Sequence, residues 1–131
     1  MNKVLVVEDN KDNLRLITYA LKRYGYEVMA AATGAEGFGL ALADPPLFII
    51  MDINLPDTDG IEVSRRLKET ERTRDIPIVA ITSHAMLGDR ERVMAAGCNG
   101  YFEKPIDPLT IIDRIHKVIG ISSELRQSSG A

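Results

Sequence analysis

Residues 47–60 read LFIIMDINLPDTDG, and this stretch decides the fold. It opens with a continuous apolar run of strand length, Leu47–Met51. Because helices cover both faces of a parallel sheet, a strand at the centre of such a sheet is apolar on both faces. The stretch therefore predicts a central strand with Asp52 at its end. The loop that follows, from Asn54 to Gly60, is rich in residues that favour turns.

Strand-length apolar segments alternate with helical patterns on both sides of this stretch. The predicted strands are Val4–Val7, Val28–Ala31, Leu47–Met51, Ile76–Ile81 and Tyr101–Glu103. The first two predicted helices begin after the N-caps Asn10 and Thr33. The third and fourth cover Ile61–Glu69 and Met86–Ala96, and the fifth begins at Asp107-Pro108, with Asp107 as its N-cap. Five strands alternating with five helices predict a doubly wound α/β sheet.

Apolar residues at helical spacing indicate the buried faces of three of these helices. The faces are Leu14, Ile17, Leu21 and Tyr24 in the first helix, Ala35, Phe38 and Leu42 in the second, and Leu109, Ile112, Ile115 and Ile119 in the last. Gly25 and Gly97 are predicted to end helices. Thr70–Asp75 is typical of a surface loop. We expect His116 at the surface and Cys98 as a packing residue.

Length and composition limit what the chain can be. Its 131 residues fit one domain, which we place at residues 1–121, with residues 122–131 as a loose tail. The net charge of −3 argues against broad nucleic-acid binding, which needs a basic face. The single cysteine excludes an internal disulfide and favours a reducing compartment. Because no apolar run is long enough to cross a membrane and no signal peptide is evident, we expect no membrane association and a cytoplasmic protein.

Polar side chains follow four of the predicted strands. They are Glu8 and Asp9, Asp52, Thr82 and Ser83, and Lys104 with Pro105. In a doubly wound sheet the carboxyl ends of the strands meet at one edge, where ligands bind. Three carboxylates there repel one another, and a hard cation such as Mg²⁺ suits their oxygen atoms. Together with an ammonium and a hydroxyl group, this set can place a phosphoryl group on a carboxylate, because phosphoryl transfer is mostly positioning and charge neutralisation.

Four segments carry a resemblance to a known family. They are VVEDNKDN at residues 6–13, FIIMDINLPDTDG at 48–60, IVAITSHAM at 78–86 and GYFEKP at 100–105. The sequence resembles the receiver domain of response regulators, the phosphoacceptor half of two-component signalling, over Lys3 to Ile119. The resemblance implies a flavodoxin-like sheet of strand order 2-1-3-4-5. It also implies a signalling phosphoprotein rather than an enzyme, although such domains take part in their own phosphotransfer and autodephosphorylation.

The resemblance implies a role for each residue of the set. Asp52 matches the phosphoacceptor, and Thr82 and Lys104 match the side chains that bind the phosphoryl oxygens. Tyr101 matches the aromatic residue that changes rotamer together with Thr82. By itself, a tyrosine in a short strand such as Tyr101 is usually a half-buried packing residue. The Lys104–Pro105 bond matches one that is cis in the family.

The implied metal site is built from the acidic pair and the central strand. Asp9, Asp52 and the backbone carbonyl of Asn54 match direct ligands, and Glu8 matches the residue that holds metal-bound water. Mg²⁺ is the implied ion, with Mn²⁺ or Ca²⁺ as substitutes. The positions that tune the reaction are matched by Asn54, Ser83 and His84. By itself, His84 is also typical of an exposed loop residue.

The function implied is that of a stand-alone response regulator, similar to single-domain receivers of the DivK type and to the receivers of hybrid kinases. A histidine kinase or a histidine phosphotransfer protein would donate the phosphoryl group to Asp52. The face formed by helix 4, strand 5 and helix 5 would then bind a downstream protein, with the chain a monomer or a phosphorylation-dependent dimer. Two alternatives are a receiver that is part of a larger hybrid kinase or regulator, and an adaptor that works without phosphorylation.

Three other readings of the acidic motif fail on spacing or charge. An EF-hand loop with its glycine at Gly60 would need ligands at Leu55 and Arg66, which offer none. A flavodoxin binds the phosphate of FMN in its first loop. In this chain that loop reads EDNKDN, and its carboxylates would repel a phosphate unless a metal ion lay between them. A phosphatase of the haloacid dehalogenase type needs D-x-D, and this chain has Asp52-Ile53-Asn54.

Overall fold

The structure is a computed structural model and describes residues 2–121. Its strands are β1 Lys3–Val7, β2 Glu27–Ala31, β3 Phe48–Asp52, β4 Ile78–Thr82 and β5 Gly100–Glu103. Its helices are α1 Lys11–Lys22, α2 Gly34–Ala43, α3 Gly60–Glu69, α4 Asp89–Ala95 and α5 Ile111–Ile119. The strands form one parallel sheet in the order β2-β1-β3-β4-β5, which confirms the predicted doubly wound α/β fold. The predicted tail at residues 122–131 lies outside the described residues.

β3 lies at the centre of the sheet, between β1 and β4. Every residue of this strand is buried, as the continuous apolar run predicts. The strand lies one residue later than predicted, because Leu47 is 41% exposed and precedes it while Asp52 is its last residue. The shift matters for the site: Asp52 is paired in register with Ile81 of β4, so the backbone that carries its carboxylate is held by the sheet.

A separate apolar core covers each face of the sheet, because alternate strand residues point to opposite faces. One core joins Leu5, Val7, Ile49, Met51 and Ile78 to Ala41, Leu67 and Val93 of α2, α3 and α4. The other joins Val4, Val6, Phe48, Ile50 and Val79 to Ile17 and Leu21 of α1 and to Ile112 and Ile115 of α5. Packing on both faces fixes the sheet and leaves its carboxyl edge open.

The buried face of α2 differs from the predicted one. Ala35 is exposed and Phe38 and Leu42 are only partly buried, while Gly34, Gly37 and Ala41 face the core. The reason is a close approach between this helix and β1: a Cβ atom on Gly37 would lie 2.7 Å from Val7 Cγ2. Apolar spacing could not reveal this face, because the residue in contact with the sheet has no side chain.

α4 begins at Asp89 and not at the predicted Met86. Gly88 has a φ of 88°, a left-handed conformation that breaks the helix before this point. The Asp89 carboxylate accepts a hydrogen bond from Met86 N at 2.9 Å and holds the preceding turn. Met86 and Leu87 are therefore exposed on this turn rather than part of a helix.

α5 begins at Ile111 and not at Pro108, the residue after the predicted N-cap Asp107. Asp107 accepts a hydrogen bond from Leu109 N at 2.9 Å, which makes a separate turn ahead of the helix. Leu109 is consequently 62% exposed and lies outside the predicted buried stripe, while Ile111 is buried in its place. The prediction that His116 is exposed is also wrong: this residue is fully buried, and its Nε2 lies 2.8 Å from Tyr26 Oη.

Several local predictions are confirmed by caps and burial. Asn10 and Thr33 cap α1 and α2 by accepting hydrogen bonds from backbone N–H groups. Gly25 and Gly97 adopt left-handed conformations after α1 and α4, and Cys98 is buried. The predicted surface loop at residues 70–75 needs one correction, because Thr73 is buried and its hydroxyl donates to Leu67 O at 2.6 Å. None of the helices within residues 2–121 has both the length and the apolar character to cross a membrane.

Candidate functional site

The site lies at the carboxyl edge of the sheet, where β1, β3, β4 and β5 end. Asp52 and Thr82 are the last residues of β3 and β4. Glu8 directly follows β1, and Lys104 directly follows β5. Because these strands are parallel, their ends meet at one edge. The polar residues that the sequence predicts to converge therefore do converge.

Asp52 is a buried carboxylate, only 2% exposed. Its Oδ1 accepts a hydrogen bond from Asn54 N at 3.0 Å, and its Oδ2 lies 3.2 Å from Lys104 Nζ. One oxygen is thus held by the backbone of the β3–α3 loop and the other by a cation. This fixes the carboxylate in one orientation at the rim of the sheet.

Lys104 reaches this carboxylate from a short turn after β5. Its peptide bond to Pro105 is cis, as the resemblance implies. Its backbone N–H donates to Thr82 O at 2.8 Å, which extends the pairing of β4 with β5. The side chain is 8% exposed, and its ammonium lies between the carboxylates of Glu8, at 2.8 Å, and Asp52.

Three carboxylates cluster around this ammonium. Glu8, Asp9 and Asp52 each offer an oxygen atom, and these atoms all lie within 4.8 Å of one another. Glu8 is 1% exposed, whereas Asp9 is open to solvent. Burial raises the pKa of Glu8 to about 7; the nearby Asp52 acts in the same direction, and Lys104 opposes them. The cluster therefore carries more negative charge than its one ammonium can balance.

The donor set fits a hard divalent cation. Glu8 Oε1 is buried and forms an ion pair with Lys104, but among the described residues no donor reaches it with hydrogen-bond geometry. Carboxylate oxygens with spare acceptor capacity and excess negative charge are what Mg²⁺, Mn²⁺ and Ca²⁺ bind. The acidic cluster can therefore hold a metal ion between Glu8, Asp9 and Asp52.

Thr82 completes the site with a hydroxyl group. The residue is 1% exposed. Its Oγ1 donates to Asn54 Oδ1 at 3.0 Å and accepts from His84 N at 3.1 Å. From the sequence, the backbone carbonyl of Asn54 is expected to bind the metal ion and its side chain to tune the reaction. The hydrogen bond between its amide side chain and Thr82 was not expected. No spacing signal could have revealed it, because it joins a loop residue to the end of a strand 28 residues later in the chain.

The remaining predicted residues lie around the rim. Ser83 and His84 are exposed beside Thr82, and Tyr101 is partly buried in β5, farther from the carboxylates. Tyr101 packs at the margin of one core and lines a groove of about 540 Å³ beside α4. Met86 and Leu87, which are 72% and 105% exposed, line the same groove. Tyr101, Met86 and Leu87 thus lie together at the surface beside α4.

Comparison with known proteins agrees with this arrangement. The family model of the response regulator receiver domain matches residues 4–116. The chain belongs to the response regulator receiver family. It is 40% identical over 117 residues to the polar-differentiation response regulator DivK of Brucella ovis, an alignment that covers 89% of this chain and 95% of that protein. The DivK of Brucella abortus gives the same values.

Solved structures of other receivers have the same fold. The receiver domain of a sensor histidine kinase from Pseudomonas aeruginosa is 34% identical, with a TM-score of 0.81 over 91% of this chain and 98% of that one. That structure has a magnesium ion coordinated in its active site cleft. The chemotaxis protein CheY4 of Vibrio cholerae is 29% identical, with a TM-score of 0.83 over 90% of this chain and 98% of that one.

Proposed function

We propose that this receiver accepts a phosphoryl group on Asp52 and thereby switches a protein-binding surface. The observation that carries the proposal is the surrounding of Asp52: a buried carboxylate with an ammonium at 3.2 Å and two further carboxylates within 4.8 Å. A structural aspartate does not need this excess of negative charge around it, whereas a phosphoacceptor that works with a metal ion does.

In this proposal the donor is a phosphohistidine of a histidine kinase or a histidine phosphotransfer protein. An Asp52 carboxylate oxygen attacks the phosphorus atom, the P–N bond breaks with its electron pair going to the ring nitrogen, and this nitrogen takes up a proton from solvent so that neutral imidazole leaves. Lys104 pairs with a phosphoryl oxygen and Thr82 donates its hydroxyl proton to another. Both act by neutralising charge at fixed positions. The domain is thus a phosphoacceptor that takes part in its own phosphotransfer and autodephosphorylation.

We propose Mg²⁺ as the physiological ion, with Mn²⁺ and Ca²⁺ as substitutes. Asp9, Asp52 and the Asn54 carbonyl would hold it directly, and Glu8 would hold its water. When bound, the ion balances the carboxylates and the charge of the phosphoryl group. The magnesium in the similar receiver from Pseudomonas aeruginosa and the spare acceptor capacity of Glu8 Oε1 support this assignment.

The output in this proposal is a change of the face formed by α4, β5 and α5. Phosphorylation draws Thr82 towards the phosphoryl group, and Tyr101 changes rotamer to follow it. The exposed Met86 and Leu87, beside Tyr101, give this face apolar area for a downstream protein. Ser83 and His84 border the site and tune access of water. We further propose that the chain acts in the cytoplasm, as a monomer or a phosphorylation-dependent dimer.

The 40% identity to DivK supports a regulator of the DivK type, and the 34% identity to the receiver of a sensor histidine kinase keeps a receiver of a hybrid kinase as the alternative. A phosphorylation-independent adaptor is the contrasting hypothesis. It gives no reason for Lys104 and Thr82 to surround a buried Asp52. The two differ in one measurement, namely whether partner binding changes when Asp52 is phosphorylated.

Incubation with Mg²⁺ and acetyl phosphate tests the proposal. Wild-type protein is expected to gain one acid-labile phosphate per chain, seen by mass spectrometry, and Asp52→Asn is expected to gain none. Asp75→Asn replaces an exposed carboxylate in the loop after α3 and serves as the matched control. Equal labelling of wild type and Asp52→Asn, or no labelling of wild type, would refute the phosphoacceptor role.

A further inference from the structure

The amide side chain of Asn54 holds the hydroxyl of Thr82 in this structure. Thr82 Oγ1 donates its single proton to Asn54 Oδ1 at 3.0 Å and accepts a hydrogen bond from His84 N at 3.1 Å. Because Thr82 is 1% exposed, solvent has little access to this group. The orientation of the hydroxyl is therefore set by Asn54.

Asn54 is itself firmly placed. Its backbone N–H donates to Asp52 Oδ1 at 3.0 Å, and it forms an antiparallel bridge with Asp59 across the β3–α3 loop. Asp59 in turn caps α3 through Ile61 N at 2.8 Å. The amide oxygen that accepts from Thr82 is thus presented by a backbone fixed at both ends of the loop.

A hydroxyl group has a single proton to donate. Thr82 cannot donate to Asn54 and to a phosphoryl oxygen on Asp52 at the same time. We propose that the Asn54 side chain is a positioning residue that competes with the phosphoryl group for the Thr82 hydroxyl and so favours the unphosphorylated state. This inference rests on the proposed function, and it gives the Asn54 amide a role separate from that of its backbone carbonyl.

Beryllofluoride, which mimics an aspartyl phosphate, measures this competition. Its affinity for the full chain at saturating Mg²⁺ is measured by titration calorimetry for wild type, Asn54→Ala, Thr82→Val and the double variant. Asn54→Ala removes the competing acceptor and keeps the backbone carbonyl. From the net worth of one neutral hydrogen bond, we expect it to tighten binding about 3- to 10-fold. In the Thr82→Val background, which has no hydroxyl, the same change is expected to alter affinity less than about 2-fold.

The double-mutant cycle distinguishes competition for the Thr82 hydroxyl from other roles of Asn54. Equal tightening in both backgrounds would show that Asn54 acts without Thr82, and weaker binding by Asn54→Ala would show that its amide assists the phosphoryl group. Either result overturns the inference but leaves the proposed function standing. Wild-type protein that binds no beryllofluoride, or binds it as Asp52→Asn does, overturns both.

Thermal unfolding of each variant without beryllofluoride shows whether the fold is kept. Asn54 is exposed, so Asn54→Ala is expected to unfold within about 2 °C of wild type. If Asn54→Ala unfolds earlier, Asn54→Ser takes its place in the cycle. A purely structural role would lower the unfolding temperature, but it would not produce an affinity change that depends on the Thr82 hydroxyl.

Discussion

At the scale of single residues, Gly60 is the backbone position on which the site depends most. A Cβ atom there would collide with the backbone carbonyl of Asp52, which cannot rotate away as a side chain could. Gly60→Ala must therefore displace either β3 or α3. We expect it to lower the free energy of unfolding by about 1–3 kcal/mol in urea denaturation, the usual range for overpacking.

Gly39 provides a matched control for this substitution. It lies within α2, and apart from its chain neighbours and the adjacent backbone of that helix, no heavy atom of the described residues lies within 4 Å of the position its Cβ would take. Replacing an exposed glycine inside a helix by alanine stabilises the helix. Gly39→Ala is therefore expected to raise the free energy of unfolding by about 0.5–1 kcal/mol. Opposite signs for the two substitutions are the expected result. Similar small effects would show that the β3–α3 loop has more freedom than the structure indicates.

Cys98 is expected to be an unreactive thiol in the folded protein. It is 4% exposed, and burial raises the pKa of its thiol. Only the thiolate reacts, so modification by a disulfide reagent at pH 8 is expected to be at least about tenfold slower in native protein than in urea. The pKa of the Cys98 thiol is higher in the folded state than in the unfolded chain. At pH values below the unfolded pKa, its contribution to the stability of the folded state is therefore fully present. That contribution is lost as the pH rises above it. Equal rates with and without urea would contradict this prediction.

His116 shows what the sequence does not reveal at this scale. Its two neighbours in the predicted stripe, Ile112 and Ile115, were correctly expected to be buried. His116 was not, because a polar residue beside an apolar stripe is ordinarily at the surface. Its burial depends on Tyr26, which lies 90 residues earlier and places its hydroxyl 2.8 Å from the imidazole. Long-range polar pairs of this kind have no periodic signature.

At the scale of elements, the β3–α3 loop supports α2 through Asp57. The Asp57 carboxylate accepts hydrogen bonds from Gly34 N at 2.8 Å and Ala35 N at 3.0 Å, at the positive end of the helix. These bonds hold the pKa of Asp57 below its usual value. The loop that follows Asp52 thus also caps the N-terminus of α2.

This cap predicts a pH-dependent effect of Asp57→Asn. Since the pKa is lower in the folded state, the carboxylate contributes stability above its unfolded pKa, and that contribution is lost as the pH falls through the folded pKa. Asp57→Asn is expected to lower the unfolding temperature at pH 7, with the difference from wild type shrinking towards pH 3. Asp12→Asn, an exposed acid in the first turn of α1, is the control. A difference that stays constant with pH would contradict a charge-based cap.

Helix starts were predictable where a side chain caps the helix directly and not where a separate turn precedes the helix. α1 and α2 begin directly after Asn10 and Thr33, whose side chains accept from backbone N–H groups three residues later. The starts of α4 and α5 were each predicted three residues too early. Turns held by Asp89 and Asp107 precede these helices, and an aspartate looks the same in sequence whether it caps a helix or a turn.

At the scale of the whole molecule, the order of the strands explains why most of the site could be predicted. Parallel strands place their carboxyl ends together, so knowing which residues follow β1, β3, β4 and β5 is enough to assemble the cluster. The hydrogen bond between Asn54 and Thr82 was not predictable, because it depends on how the β3–α3 loop lies against the end of β4. The hydrophobic pattern of the sequence predicts the sheet, but it carries no information about the contacts that the loops make.

The excess negative charge of the cluster predicts that Mg²⁺ stabilises the whole domain. Three carboxylates share one ammonium in the folded chain and are dispersed in the unfolded one, so the ion binds the folded state preferentially. At tenfold its dissociation constant, it is expected to add about 1.4 kcal/mol, which for a domain of this size raises Tm by roughly 3–6 °C. Calorimetry with increasing Mg²⁺ measures the shift, and Mn²⁺ and Ca²⁺ are expected to act in the same direction.

Two variants that each remove one exposed carboxylate test whether the rise in Tm comes from the acidic cluster. Asp9→Asn removes one ligand at an exposed position, so it is expected to fold normally and to lose most of the shift. Glu71→Gln removes the same charge from the exposed loop after α3 and is expected to keep the full shift. A rise in Tm that is equal in both variants would mean that Mg²⁺ only screens the net charge of −3. A shift lost in Asp9→Asn alone requires a bound ion at the carboxyl edge of the sheet.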